Sequence, residues 1–102
     1  MSITIGSNSF EGPFPSTQPI EDRSGVYAVL KENSDGKYSL VDVGESAGVK
    51  TRLDTHDRRG CWLRQCSSPN YAVCYTPNLQ SAGRVAIEQE IRSKFNPPCG
   101  VI

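Results

Sequence analysis

The chain has 102 residues, 36% of them hydrophobic and 22% charged, with 11 Lys+Arg balancing 11 Asp+Glu. That length allows one domain with a small core, and net neutrality excludes a global attraction to phosphate, so nucleic-acid binding would need a local basic face. No apolar run is long enough to span a bilayer, and MSITIGSNSF has neither a basic n-region nor an apolar h-region, so the expected location is cytoplasmic.

Residues 1–23 are rich in Ser, Pro and Gly and read as an extended N-terminal arm. Phe10 and Phe14 are its candidate anchors, and its first residues are a candidate edge strand. Pro13, Pro15 and Pro19 oppose helix and central strand. The domain proper is expected over 24–102. Ser24 to Lys31 alternates as a strand, with Val26, Ala28 and Leu30 on one face and Tyr27 and Val29 on the other. Asn33-Ser34-Asp35-Gly36 is turn chemistry, and Tyr38 to Val43 returns, so the two segments form an antiparallel hairpin. Asp42 falls in the alternation of Tyr38 and Leu40, opposite Val41 and Val43. An acid in mid-strand is unusual, although an exposed sheet face explains it equally well.

Gly44 ends the strand, and Ser46 stands where a helix N-cap belongs. At about 100° per residue, Val49, Arg52, Leu53 and His56 share one helical face. A guanidinium and an imidazole therefore border the stripe that packs inward, where a helix with no role beyond packing would not put them. The segment Asp57 to Gln65 is basic, with Arg58, Arg59 and Arg64 around Trp62. Guanidiniums for phosphate and an indole for a base make it the candidate nucleic-acid surface. A solvated loop with Trp62 in the core fits the same letters.

Tyr71 to Tyr75 is a third strand. A second helix runs from Leu79 to Lys94, with Ile87, Ile91 and Phe95 at i, i+4, i+8, and Asn96-Pro97-Pro98 stops it. The order hairpin, helix, strand, helix predicts an α+β fold, a small, mostly antiparallel three-stranded sheet with helices packed against it. Glu88 lies about 60° around the second helix from Ile91 and borders the buried seam. Burying an unpaired carboxylate is costly, so it needs a metal or a cation; Arg84 and Arg92, at i±4, offer a plain surface pair instead. With no export signal, Cys61, Cys66, Cys74 and Cys99 are expected to be thiols. Zinc on Cys61, Cys66 and His56 lacks a second tight ligand pair.

Together these residues resemble the GIY-YIG nuclease superfamily. Gly25-Val26-Tyr27 matches its first triplet and Asp42-Val43-Gly44 its second. Arg52 matches the arginine of its first helix, and His56 a histidine one turn later in some restriction-enzyme members. Glu88 and Pro97 match a metal-binding glutamate and a later proline. The resemblance covers Ser24 to about Gly100. Asp42 stands where the family has tyrosine, the family asparagine aligns near Gly100 (Asn96 lies earlier), and the spacer Ala28 to Val41 is longer than usual.

The resemblance implies a divalent-metal-dependent endonuclease hydrolysing phosphodiester bonds in DNA. A single Mg²⁺ or Mn²⁺ would sit on Glu88. Arg52 would hold non-bridging oxygens. Tyr27 would orient or deprotonate the attacking water, with its pKa lowered by Arg52 and His56, or His56 would itself be the base. Asp42 would bind the water or the metal. A protein partner would supply specificity that so short a module lacks. The alternative is a catalytically inactive descendant that binds nucleic acid or a protein.

Overall fold

A computed structural model describes residues 1–100. The elements in chain order are β1 (Ser2–Ile5), β2 (Asn8–Phe14), β3 (Gly25–Glu32), β4 (Tyr38–Ser46), α1 (Val49–Asp54), α2 (Arg59–Gln65), β5 (Asn70–Tyr75) and α3 (Ser81–Phe95). The strands form one antiparallel sheet in the order β1-β2-β5-β3-β4.

The expectation of three strands and an extended arm is overturned. The sheet has five strands, because the N-terminal segment folds back as a hairpin and β2 pairs with β5. Phe10, wholly buried, drives this by filling the core beneath β3. Pro13 argued against a central strand, but the β2–β5 register breaks between Glu11 and Phe14, at the residue that cannot donate a ladder bond.

β3 is covered on both faces, and its residues from Gly25 to Leu30 are all buried. One face carries Tyr27 and Val29 beneath α1 and α2, packed with Val49, Leu53 and Trp62. The other carries Val26, Ala28 and Leu30 against Ile5, Phe10 and Ile91 of α3. The β3–β4 register slips at Val29/Leu30, pairing Val29 with Asp42 but Leu30 with Leu40. This bulge leaves Val41 as the extra residue and reverses the alternation beyond it. Val41 and Val43 consequently belong to opposite faces. Asp42 leaves the side of Tyr38 and Leu40 and joins that of Val29 and Tyr27.

The helices also differ in detail. β4 continues through Ser46, and the N-cap of α1 is Gly48. Asp22 serves the first turn instead, accepting from the Thr51 N–H and hydroxyl at 2.9 and 2.8 Å. Only six residues are helical, so His56 stands just past the C-cap Thr55 rather than on the helix. The basic segment around Trp62, expected as a loop or surface, forms α2. Among the described residues no helix is long and apolar enough to cross a membrane.

Candidate functional site

Tyr27 and Gly44 face each other across the β3–β4 ladder. The tyrosine ring lies on the glycine so closely that a Cβ there would come 2.1 Å from Oη and 2.3 Å from Cζ. Only glycine lets the phenol occupy this place. Its Oη then meets His56 Nε2 at 2.5 Å, with both residues buried. His56 Nδ1 accepts the Arg58 backbone N–H at 3.0 Å. A backbone donor cannot be reoriented, so neutral His56 carries its proton on Nε2 and donates it to Tyr27. The phenol keeps its own proton to give away.

Burial dominates the electrostatics of this pair. It pushes Tyr27 up to about 12 against the opposing pull of Arg58 and Arg52. It pushes His56 down to about 4, reinforced by the same two guanidiniums. At neutral pH both groups are therefore uncharged. Arg52 Nη2 bonds Asp57 Oδ1 at 3.1 Å, and that carboxylate oxygen lies 3.2 Å from His56 Nδ1.

Asp42 is fully buried beside this pair. Its Oδ2 accepts from Arg58 Nε and Trp62 Nε1, each at 2.8 Å. Its Oδ1 accepts from Val43 N–H at 2.8 Å, Arg92 Nη2 at 2.9 Å and Arg58 Nη2 at 3.3 Å. Arg92 also donates to the carbonyls of Val43 and Cys99. An acid with that many donors has little capacity left for water or metal.

Glu88 lines an adjoining cleft of about 530 Å³ with Arg58, Gln89, Arg92, Asn96, Pro97 and Gly100. Its carboxylate lies 3.5 Å from Arg92 and is half-buried, and desolvation raises its pKa against the pull of Arg92. Arg58 acts electrostatically on both Tyr27 and Glu88, which makes it the neighbour shared by pair and cleft. Among the described residues no three His, Cys, Asp or Glu side chains cluster to hold a metal. The residues thus fit a divalent cation in one form only, a single carboxylate completed by water and substrate oxygens, the arrangement that suits Mg²⁺.

No family model, curated protein or solved structure matches the chain.

The structure gathers Tyr27, His56 and Arg52 around one buried contact and places Glu88 in the next cleft, with Arg58 between. Other sequence-based roles change. Asp42 is not on an exposed face and does not face water; the register slip turned it inward. Trp62 is fully buried with its N–H on Asp42, so it offers no stacking surface. Arg58 is committed to Asp42. Arg59 and Arg64 are the exposed cations of α2. Glu88 has the i+4 partner Arg92 that its spacing allowed. The four-thiol expectation fails: Cys61 and Cys99 form a disulfide, while Cys66 and Cys74 are free.

Three functional residues escaped sequence reasoning. Arg92, read only as a partner for Glu88, is the second cation on Asp42. Gly44, read as a strand end and as the close of the second triplet but given no packing role, makes room for Tyr27. Gly100 lies against the same carboxylate, where a Cβ would meet Arg92 Nη1 at 2.8 Å, Asp42 Oδ1 at 2.9 Å and Arg58 Nε at 3.0 Å, at a φ of +82°. No asparagine side chain fits there while Asp42 holds its two arginines. Asp42 and Gly100 are therefore packed as one unit, and Asn96, at a left-handed helix C-cap, lines the cleft.

Proposed function

We propose that this chain is a GIY-YIG-type endonuclease that hydrolyses phosphodiester bonds in DNA with Mg²⁺ or Mn²⁺ held at Glu88. The observation that carries the reading is the Tyr27–His56 contact with Arg52 beside it, sharing Arg58 with the Glu88 cleft. His56, uncharged at neutral pH, fixes the phenol by donating to its oxygen. Tyr27 then donates its own proton to the oxygen of the attacking water or of the phosphate and so aligns it. Arg58 and Arg52 pull the phenol toward ionisation but burial outweighs them, so Tyr27 orients as a donor and does not act as the base. Arg52, the more exposed of the two, takes the non-bridging oxygens. The cation, when bound, supplies Lewis-acid stabilisation of the leaving oxygen. Arg59 and Arg64 extend the contact along the DNA backbone, and a protein partner supplies sequence preference. A cytoplasmic site of action belongs to the same reading, with the Cys61–Cys99 bond then formed only under oxidising conditions.

A second reading, a non-catalytic module binding nucleic acid or a protein, is favoured by the burial of Tyr27 and His56 and by the saturation of Asp42. Incubation of supercoiled plasmid with Mg²⁺ or Mn²⁺ separates the two. Nicking by the wild type, reduced at least 100-fold in Glu88→Ala and in Arg52→Ala, supports catalysis. Equal, negligible nicking with retained, salt-sensitive DNA binding assigns the chain to the second class.

A further inference from the structure

We propose that the Cys61–Cys99 disulfide is a redox latch on the Glu88 cleft: the oxidised protein holds the cleft assembled, and reduction by a dithiol releases the wall formed by residues 96–100. Its effect on DNA cleavage rests on the endonuclease reading, whereas its structural half does not.

The bond ties α2 to the segment that follows α3, closing a sequence separation of 38 residues. The two tied regions are the two sides of the Asp42 cage. Next to Cys61 is Trp62, whose indole N–H is on Asp42. Next to Cys99 is Gly100, which lies against Asp42, Arg58 and Arg92. Cys99 is also where the wall is pinned, its N–H donating to Val41 O at 3.1 Å and its carbonyl accepting from Arg92 Nη1 at 2.9 Å. Arg92 in turn holds Asp42 and Val43 O and stands over Glu88. Asn96, Pro97 and Gly100 line the cleft itself.

Apart from the disulfide, the wall depends on these few hydrogen bonds and on the burial of Pro97 and Cys99. A segment held by so few contacts opens locally at low cost once its covalent tie is cut. Loss of the Cys99 carbonyl removes one acceptor from Arg92. The grip of that guanidinium on Asp42 and its distance from Glu88 then change together.

The chemistry balances with a dithiol such as dithiothreitol. One of its thiolates attacks Sγ of Cys61, the half-buried residue of the pair, and the fully buried Cys99 leaves as a thiolate. The second thiol of the reagent displaces Cys61 and closes a cyclic disulfide. The protein gains two electrons and two protons as two thiols, and the reagent loses them.

The test uses the full chain equilibrated with oxidised glutathione or with dithiothreitol, and a Cys61→Ser/Cys99→Ser double variant that copies the reduced state. Amide hydrogen exchange and plasmid nicking are read on each. The expected result is exchange at least tenfold faster at the hydrogen-bonded amides of 96–100, those of Asn96 and residue 99, on reduction and in the double variant, unchanged exchange over β3, and nicking reduced at least tenfold. Two reactive thiols are expected in the oxidised protein and four after reduction. Unchanged exchange at 96–100, equal acceleration throughout β3, or four thiols after oxidation would each overturn the latch. So would a loosened wall with undiminished nicking. A loosened wall with no nicking in either state supports the latch and removes the endonuclease reading instead.

Discussion

Asp42 and Glu88 are two acids of one region with opposite situations. Asp42, on a strand, is wholly buried and accepts from five donor atoms of Val43, Arg58, Trp62 and Arg92. Glu88, on a helix, keeps 19% of its side-chain surface and has one guanidinium at 3.5 Å. A carboxylate whose acceptor positions are filled holds a structure together. One with free lone pairs at the rim of a cleft is available to a ligand. The same contrast separates the arginines: Arg58 and Arg92 are spent on the buried Asp42, while Arg52 forms its salt bridge with the exposed Asp57.

The sharpest way to break this contrast is Asp42→Ala. It leaves a buried indole N–H and two partly buried guanidiniums without their acceptor, and the loss should be about 3–5 kcal/mol, read as a lowered urea midpoint. A loss below about 1 kcal/mol would show that the cage is not what holds the strand to α2 and α3.

The buried imidazole gives the next effect. Folded His56 has its pKa pushed down to about 4 from an unfolded value near 6.5. Only the unfolded chain takes up the proton between those values, so the folded state has its full stability above pH 6.5 and loses it as pH falls toward 4. The difference is on the order of 3 kcal/mol. Subtracting the pH–stability curve of His56→Gln from that of the wild type isolates it, and parallel curves would refute the assignment.

Gly44→Ala strikes the Tyr27 side of the region and leaves the Asp42 cage intact. The added methyl must displace the tyrosine ring, at a cost of about 1–3 kcal/mol. The Tyr27–His56 contact should be lost with it, visible as a rise in the His56 pKa by NMR. The smallest structural effect belongs to Glu88→Gln. Stability should change by less than about 1 kcal/mol, because the pair it breaks is partly exposed and screened, while nicking disappears. A large destabilisation there would mean that Glu88 is as structural as Asp42.

Local pattern was enough for the β3–β4 hairpin, for β5 and for most of α3, because alternation, turn residues and helical periodicity act over a few residues. It was also enough to single out Arg52 and His56 as residues poorly explained by packing, and Glu88 as an acid in need of a partner; Tyr27 came only from the resemblance. Of the N-terminal hairpin only the edge strand β1 and the Phe10 anchor were legible; β2 was not, because Pro13 argues locally against a strand, and only the space that Phe10 fills and the open edge of β5 make it worthwhile. Nor was the orientation of Asp42, since a one-residue slip against β3 depends on the partner strand and reverses every side chain after it. The Cys61–Cys99 pairing and the fit of Gly100 against Asp42 lie further still from any local rule. Each depends on where the segment after α3 returns relative to α2, and that is set by packing of the whole domain rather than by the residues on either side.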